Sequence, residues 1–371
     1  MTRVPISQEA VGRALSKTLD HYDKAPGFMD EAYIIDTQEA GDLAASSGPV
    51  STRNAEGWDM SSQLDLETVM NANMGTAHVD ATPSASRESD EWKEIRLIIE
   101  AHIANQPRSL QKEIGPSELG TDCLHCLAAR LAGWEKRQSA AWLPFIGTCV
   151  HERFEHLFNK RKDEFTVPDD DGGEPWAVKR FEAERHVDVG SIHGLHGYQL
   201  IHGSIDLYDA ENNTTIDWKI TGPTTIRNVK ANGPSQQYRI QASLYGIGLE
   251  NDGEPCKKNA IYFLPRNSVS LADALPIEFD FDPKPGRWAL SRAQLIANLL
   301  DLIEQEDGTE MRDAWIHALP TSPTHCFQCG SWPDDQLGQL SELNENQYPA
   351  LPDKWRQAIG LLESTYRKTE R

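Results

Sequence analysis

Hydrophobic residues recur at intervals of three and four positions in several separate stretches of the chain, which is the spacing of an amphipathic helix. A break at Gly115 and Pro116, followed by Ser117 as an N-cap, predicts a short helix at that point. The longer helices are predicted over Val4–Tyr22, Glu91–Asn105, Thr148–Lys162, Gln236–Leu249, Pro285–Glu306 and Lys354–Arg371.

Strand-like patterns dominate residues 176–220. Two runs in that segment, Tyr198–Tyr208 and Thr214–Ile220, flank the polar turn 209–213 and therefore predict a hairpin. A further strand is predicted at Ala260–Pro265, between two helices. This order of elements predicts an α/β fold with a mixed central sheet flanked by helices.

The beginning of the chain differs in composition from the rest. Residues 41–90 are rich in Ser, Thr, Ala, Gly and Asp and carry few large apolar side chains, a composition typical of disordered segments. We therefore predict an acidic, partly disordered N-terminal region (1–88), a folded core domain (89–335) and a C-terminal helical tail (336–371).

The chain is strongly acidic, with 36 Lys and Arg against 57 Asp and Glu and a formal net charge of −21. Such a charge opposes non-specific binding to nucleic acid unless one part of the surface is basic. The stretch from Trp218 to Leu249 contains no Asp or Glu, and it predicts a local phosphate-binding surface formed by Arg227, Lys230 and Arg239.

Neither a membrane span nor a secretory signal is expected. No run approaches the roughly 18 apolar residues of a transmembrane helix, and the first ten residues lack the apolar core of a signal peptide. The expected compartment is the cytoplasm, where cysteines stay reduced. Cys149 and Cys256 are accordingly predicted to be buried, free thiols.

Two carboxylates and an amine on the predicted hairpin point to metal chemistry. Asp206 and Asp217 can face each other across two antiparallel strands, and Lys219 projects from the same face as Asp217 because side chains alternate along a strand. A divalent cation relieves the repulsion between two buried carboxylates and lowers the pKa of bound water. All-oxygen ligands suit Mg²⁺ or Mn²⁺.

Four of the six cysteines form two CxxC pairs, which bracket the predicted hairpin. Two such pairs can offer four thiolates to one centre, and that centre would join the two ends of the core domain. Zinc and an iron–sulfur cluster share this ligand set, so composition leaves both open. The predicted ligands are Cys123, Cys126, Cys326 and Cys329.

Four short motifs, in order, resemble those of the PD-(D/E)XK nuclease superfamily, specifically its RecB-like branch. GTCVHERFE resembles the helix that carries a metal-binding histidine, here His151, and HGSIDLY resembles the motif of the first acid, Asp206. IDWKIT matches the D/E-x-K motif and QASLY matches the Q-x3-Y motif. The resemblance covers roughly residues 115–329, and it departs from the family name at Ile205, where Pro is expected.

The resemblance implies a role for each matched residue. His151, Asp206 and Asp217 would bind the metal, assisted by the carbonyl of Trp218, while Glu152 and Glu155 are candidate additional acids. Lys219 would orient the attacking water or stabilise the charge that develops on the phosphate. Gln241 and Tyr245 lie one helical turn apart and share a face, and they would position Lys219 and the DNA backbone.

The resemblance also extends to the cysteines. CRISPR-associated adaptation exonucleases and AddB-type nuclease domains carry a four-cysteine [4Fe–4S] cluster around the same core, which implies such a cluster here, with zinc as the alternative. Their usual division is one cysteine before the core and three after it. This chain divides them two and two.

The function implied is metal-dependent hydrolysis of DNA, by an exonuclease acting on single strands or ends in recombination, repair or replication, including that of a bacteriophage. A helicase or recombination protein is the partner implied. Two rival functions remain open: a non-catalytic nucleic-acid-binding module built on a zinc or cluster scaffold, and an interaction subunit of a replisome. Cleavage assays with Mg²⁺ or Mn²⁺ separate the nuclease from both.

Overall fold

The computed structural model describes residues 90–105, 114–137, 141–169, 173–194, 197–322, 326, 328–334 and 365–366. The chain forms two compact units, residues 35–100 and residues 1–34 together with 101–371. Helix α1 (Asp90–Ala104) supplies the described residues of the smaller unit. The predicted helices Val4–Tyr22 and Lys354–Arg371 lie outside the described residues, apart from two positions of the second.

A mixed five-stranded sheet forms the centre of the larger unit, as predicted. The described residues form seven strands: β1 (Glu164–Val167), β2 (Trp176–Lys179), β3 (Phe181–Gly194), β4 (Gly197–Asp209), β5 (Thr214–Thr221), β6 (Lys258–Pro265) and β7 (Leu275–Asp280). The strand order of the sheet is β3-β4-β5-β6-β7, with β5 and β6 parallel and the other neighbours antiparallel. A separate two-stranded ribbon pairs β1 with β2.

Helices flank this sheet, and two of them form the crossover that parallel strands require. The crossover from β5 to β6 runs through α5 (Pro223–Asn232) and α6 (Gln236–Asn251). Before the sheet come α2 (Pro116–Leu119), α3 (Leu124–Leu131) and α4 (Trp142–Asn159), and after it come α7 (Lys284–Asp307) and α8 (Thr309–Ala318). Among the described helices, none has the length and apolar character needed to cross a membrane.

Helix α6 lies unusually close to the sheet because it carries glycine at the contact. A Cβ on Gly248 would lie 2.6 Å from the Cγ2 atom of Val187 on β3, so any larger side chain would push the helix away. Ile240 and Leu244 of the same helix are buried in the main core. This close packing sets the distance between α6 and the sheet, and therefore the positions of Gln241 and Tyr245.

Helix α4 begins at Trp142, six residues before the predicted start at Thr148, and ends at Asn159 rather than Lys162. Pro144 is compatible with this earlier start because it falls in the first helical turn, where backbone N–H groups have no intrahelical acceptor. The helix packs on the sheet through Phe154 and Phe158, whose rings lie 5.5 and 6.1 Å from that of Trp218.

Candidate active site and metal centre

The hairpin of β4 and β5 opens where its two acids lie. Backbone pairing runs from Asp209 opposite Thr214 to Leu207 opposite Ile216 and stops there. At the next position the Asp206 carboxylate accepts a hydrogen bond from the backbone N–H of Trp218, at 2.6 Å. A side chain thus replaces the strand-to-strand hydrogen bond, and the two strands separate around the acids.

Asp217, Lys219 and Gln241 form one hydrogen-bonded group. The Lys219 ammonium donates to Asp217 Oδ1 and to Gln241 Oε1, each at 3.0 Å. The Gln241 amide donates to Asp217 Oδ1 at 3.1 Å and to the Tyr245 hydroxyl at 2.8 Å. Gln241 therefore contacts Lys219 directly, and Tyr245 is connected to Lys219 through Gln241.

The Asp217 carboxylate is buried and electrostatically strained. Burial raises its pKa to about 6, the Lys219 charge opposes that rise, and the neighbouring Asp206 adds to it. Asp217 Oδ2 also lies 2.8 Å from Lys219 Nζ, so the lysine pairs with both carboxylate oxygens. Carboxylate oxygens are the ligands that hard divalent cations prefer.

His151 reaches the same place from helix α4. Its Nδ1 atom lies 3.2 Å from Asp206 Oδ1, and its Nε2 atom lies 3.1 Å from the carbonyl oxygen of Trp218. These contacts bring together the histidine, the first acid and the carbonyl that the sequence resemblance implies as ligands.

Glu184 on β3 is a candidate ligand that the sequence did not reveal. Its neighbours pair as Ala183 with Leu207 and Arg185 with Ile205, so Glu184 lies across from Asp206. Its backbone φ of 50° is in the left-handed region, which is uncommon for a residue other than glycine. Such strain persists where the surrounding structure enforces it, and it is frequent at functional sites.

His151, Glu184 and Asp206 form a group whose candidate ligand atoms all lie within 4.8 Å of one another. Burial raises the pKa of Glu184, and the Ser204 hydroxyl, which donates to its carboxylate, opposes that rise. Asp217 is not a member of this three-residue group, but it lies in the same cavity lining. We use the name acidic cluster for five residues: His151, Glu184, Asp206, Asp217 and Lys219.

The donor set of the acidic cluster fits a hard divalent cation. Carboxylates, a carbonyl oxygen and an imidazole nitrogen converge, and oxygen-rich sets of this kind suit Mg²⁺ or Mn²⁺. Without a cation, the negatively charged carboxylate oxygens and the carbonyl oxygen of Trp218 would repel one another. Lys219 compensates part of this charge through its ion pair with Asp217 Oδ2 at 2.8 Å.

A cavity of about 1260 Å³ opens over the acidic cluster. Besides the cluster, its walls include the acids Glu152 and Glu155 of α4, as well as Gln241 and Tyr245. The predicted basic residues Arg227, Lys230 and Arg239 are exposed on α5 and α6 and are not among the residues that line it. The lining contains seven Asp and Glu residues against Arg130, Lys136 and Lys219, so the cavity carries a net negative charge and a polyanionic substrate needs cations to enter it.

The four predicted cysteines converge, although some two hundred residues separate the two pairs. Cys123 Sγ lies 3.5 Å from Cys329 Sγ, and Cys126 Sγ lies 3.3 Å from Cys326 Sγ and 3.6 Å from Cys329 Sγ. The structure thus confirms a four-cysteine group that joins the start and the end of the core domain. We call these four residues the sulfur cluster.

His125 and Asp334 lie beside the sulfur cluster and were not predicted to interact. The Nε2 atom of His125 lies 2.7 Å from Asp334 Oδ2, and the Nδ1 atom lies 3.9 Å from Cys329 Sγ. His317 contacts the same Asp334 oxygen at 3.0 Å. A carboxylate that supports a histidine next to ligand sulfurs is a common feature of metal centres.

The remaining two cysteines depart from the prediction that both are buried. Both are free thiols, but Cys149 is exposed on α4 and Cys256 is only partly buried. Helix α4 covers the sheet with its phenylalanine face and leaves Cys149 on another side.

Comparisons with known proteins find little that resembles this chain. No protein-family model matches it, and no curated protein matches it. One solved structure does, described as the crystal structure of SSO0001, with 12% sequence identity and a TM-score of 0.33. The match covers 62% of this chain and 89% of that one. At this level, the likeness supports no conclusion on fold family or function.

Proposed function

We propose that the protein is a metal-dependent deoxyribonuclease of the PD-(D/E)XK type. One observation carries the proposal: two acids, a lysine and a glutamine from β4, β5 and α6 meet beside a histidine of α4, at the floor of a cavity. An ordinary surface ion pair would need neither the burial of Asp217 nor the separation of the hairpin strands.

The residues suited to hold the cation are Asp206, Asp217, His151 and Glu184, with the carbonyl of Trp218. When bound there, Mg²⁺ or Mn²⁺ supplies Lewis-acid polarisation of a phosphoryl oxygen and lowers the pKa of a bound water. Asp206 holds the strand geometry as well, since its second oxygen accepts the Trp218 N–H. The protein thereby fixes the ligands before substrate arrives.

Lys219 is the residue that donates hydrogen bonds to the reacting phosphate or to the attacking water. Its ammonium has three N–H donors, of which the structure directs two towards Asp217 and Gln241. The ring of Tyr238 lies 5.1 Å from Nζ and limits where the ammonium can move. A held ammonium stabilises negative charge on a phosphate oxygen without reorganising as the charge develops.

Gln241 positions that lysine through the two ends of its amide. The oxygen accepts from Lys219, while the nitrogen donates to Asp217 and to the Tyr245 hydroxyl. Only one orientation of the amide satisfies all three contacts. Tyr245 therefore acts through Gln241, which explains why a tyrosine one helical turn later belongs to the motif.

DNA is the substrate that the motif order favours, with single strands or ends the expected form and exonucleolytic cleavage the expected mode. The acidic charge of the chain argues for a cation-dependent approach of DNA and for help from a partner such as a helicase or recombination protein. A role in recombination, repair or replication follows from the same resemblance.

The test is digestion of end-labelled single-stranded and double-stranded oligonucleotides, DNA and RNA, with Mg²⁺ or Mn²⁺. We expect wild type to cleave DNA and Lys219→Met to lose roughly 10²-fold or more in rate, with an unchanged melting temperature. Lys258→Met is the matched control, because that lysine is exposed at the other end of the neighbouring strand. Binding of DNA without cleavage by wild type would instead support a non-catalytic module.

A further inference from the structure

The sulfur cluster is too compact for the iron–sulfur cluster that the sequence resemblance implies. The sulfurs of its residues approach one another to 3.3, 3.5 and 3.6 Å, which is contact distance for sulfur. A [4Fe–4S] cluster binds each cysteine to a different iron. Its irons and sulfides fill the space between the ligand sulfurs and hold those sulfurs out of contact.

A single tetrahedral ion fits the same sulfurs. With a zinc–sulfur bond of about 2.3 Å, tetrahedral geometry places the ligand sulfurs about 3.8 Å apart. Three of the six sulfur pairs lie at 3.3, 3.5 and 3.6 Å, shorter than that value by up to about 0.5 Å. We propose that Cys123, Cys126, Cys326 and Cys329 hold one structural Zn²⁺ and no iron–sulfur cluster.

The local backbone of the first CxxC turn suits a metal site. The N–H of Cys126 donates to the sulfur of Cys123 at 3.4 Å, and Cys123 is also the N-cap of helix α3. The division of cysteines two and two, which departs from the resembled nucleases, gives each turn the same pair of ligands.

Polar groups next to the sulfurs are compatible with a zinc tetrathiolate. The indole N–H of Trp332 donates to Cys126 Sγ at 3.2 Å. Arg292 is fully buried, and Asp122 and Cys123 both act on its charge. A buried guanidinium requires nearby negative charge, which Asp122 supplies and a zinc tetrathiolate would increase.

His125 is the competing ligand, since its candidate ligand atom lies within 4.8 Å of those of Cys123, Cys126 and Cys329, a group that does not include Cys326. Its Nδ1 atom lies 3.9 Å from the Cys329 sulfur, whereas the Cys326 sulfur lies 3.3 Å from that of Cys126. We therefore place His125 outside the ligand set, as a residue that positions the Cys329 sulfur.

The first experiment uses the wild-type protein purified without oxygen from cells supplied with iron and zinc. We expect a colourless protein with one zinc per chain, no acid-labile sulfide, and a zinc X-ray absorption spectrum with four sulfur neighbours at about 2.3 Å. A brown protein that contains iron and acid-labile sulfide would overturn the proposal. So would a zinc shell that contains nitrogen or oxygen.

Variants then show which of the two clusters holds the zinc that is measured. Cys326→Ala should lose the bound zinc, whereas His125→Ala should retain one per chain. Cys149→Ala and Asp206→Asn are the controls, because the first removes an exposed thiol and the second a ligand of the acidic cluster. Zinc lost from Asp206→Asn and kept in Cys326→Ala would place the ion in the acidic cluster and refute the proposal.

Discussion

The acidic cluster and the sulfur cluster are both sets of candidate metal ligands, but one is open and the other is closed. The acidic cluster lines a cavity of about 1260 Å³. In the sulfur cluster, each sulfur contacts at least one other, and three of the four cysteines are buried. A closed tetrahedral set is typical of structural ions, while an open set leaves positions for water and substrate.

The two clusters also differ in the length of chain that they join. Asp206 and the N–H it binds on Trp218 are 12 residues apart, on adjacent strands. Cys123 and Cys329 are 206 residues apart. A link across so long a segment strongly restricts the unfolded chain. We therefore expect the sulfur cluster to determine stability and the acidic cluster to determine activity.

The strongest test places one substitution in each cluster and measures both activity and stability. Asp206→Asn should lower DNA cleavage by roughly 10³-fold while the melting temperature stays within about 2 °C of wild type, because an asparagine oxygen can still accept the Trp218 N–H. Cys126→Ser should lower the melting temperature by roughly 10 °C. Cleavage rates and thermal unfolding are measured on both variants.

Two exposed positions serve as matched controls for that pair. Asp273→Asn removes an acid outside the cavity lining, and Cys149→Ser removes an exposed thiol. Both should leave cleavage and melting temperature unchanged. If Asp206→Asn destabilised the fold as much as Cys126→Ser does, the division between an active and a structural cluster would be wrong.

The parts of the site that the sequence predicted are those encoded by short-range patterns. Alternation along a strand placed Asp217 and Lys219 on one face, and a polar turn of five residues placed Asp206 on the paired strand. Helical spacing did the same for Gln241 and Tyr245. The mixed sheet followed from the order of elements, and the two CxxC spacings indicated a common centre.

The parts that the sequence did not predict depend on long-range register. Glu184 lies on β3 within a run that carries no motif, and only its position across from Asp206 brings it to the site. The contact between His125 and Asp334 joins residues 209 apart in sequence. The start of α4 at Trp142 was also not predicted; the helix includes Pro144 because proline is tolerated in a first turn.

Glu184 offers the second test of the comparison, because an open site should tolerate the loss of one ligand. Glu184→Gln should raise the Mg²⁺ concentration needed for half-maximal cleavage by roughly tenfold, with most of the rate recovered at saturating Mg²⁺. Glu182→Gln is the control on the same strand, since Glu182 pairs with Arg185 instead. An unchanged Mg²⁺ requirement would remove Glu184 from the ligand set.

The smallest expected effect concerns how DNA reaches an acidic cavity. Arg227 and Lys230 are exposed on α5, the helix that directly follows the strand of Asp217 and Lys219. Neither lines the cavity, so their charges should act on the approach of the DNA backbone and not on cleavage. Each Arg227→Ala or Lys230→Ala substitution should reduce the slope of log affinity against log salt by about one.

Binding is measured by titrating labelled DNA at several salt concentrations in Ca²⁺, with cleavage at saturating DNA measured separately in Mg²⁺. Lys258→Ala is the control, because it removes the same charge at the opposite end of the sheet. If the slope changes equally in all three variants, the chain attracts DNA through its overall charge. A change of slope confined to the Arg227 and Lys230 variants instead indicates that the DNA backbone binds along α5. In that case, only the DNA segment whose phosphate charge the bound cation neutralises enters the acidic cavity.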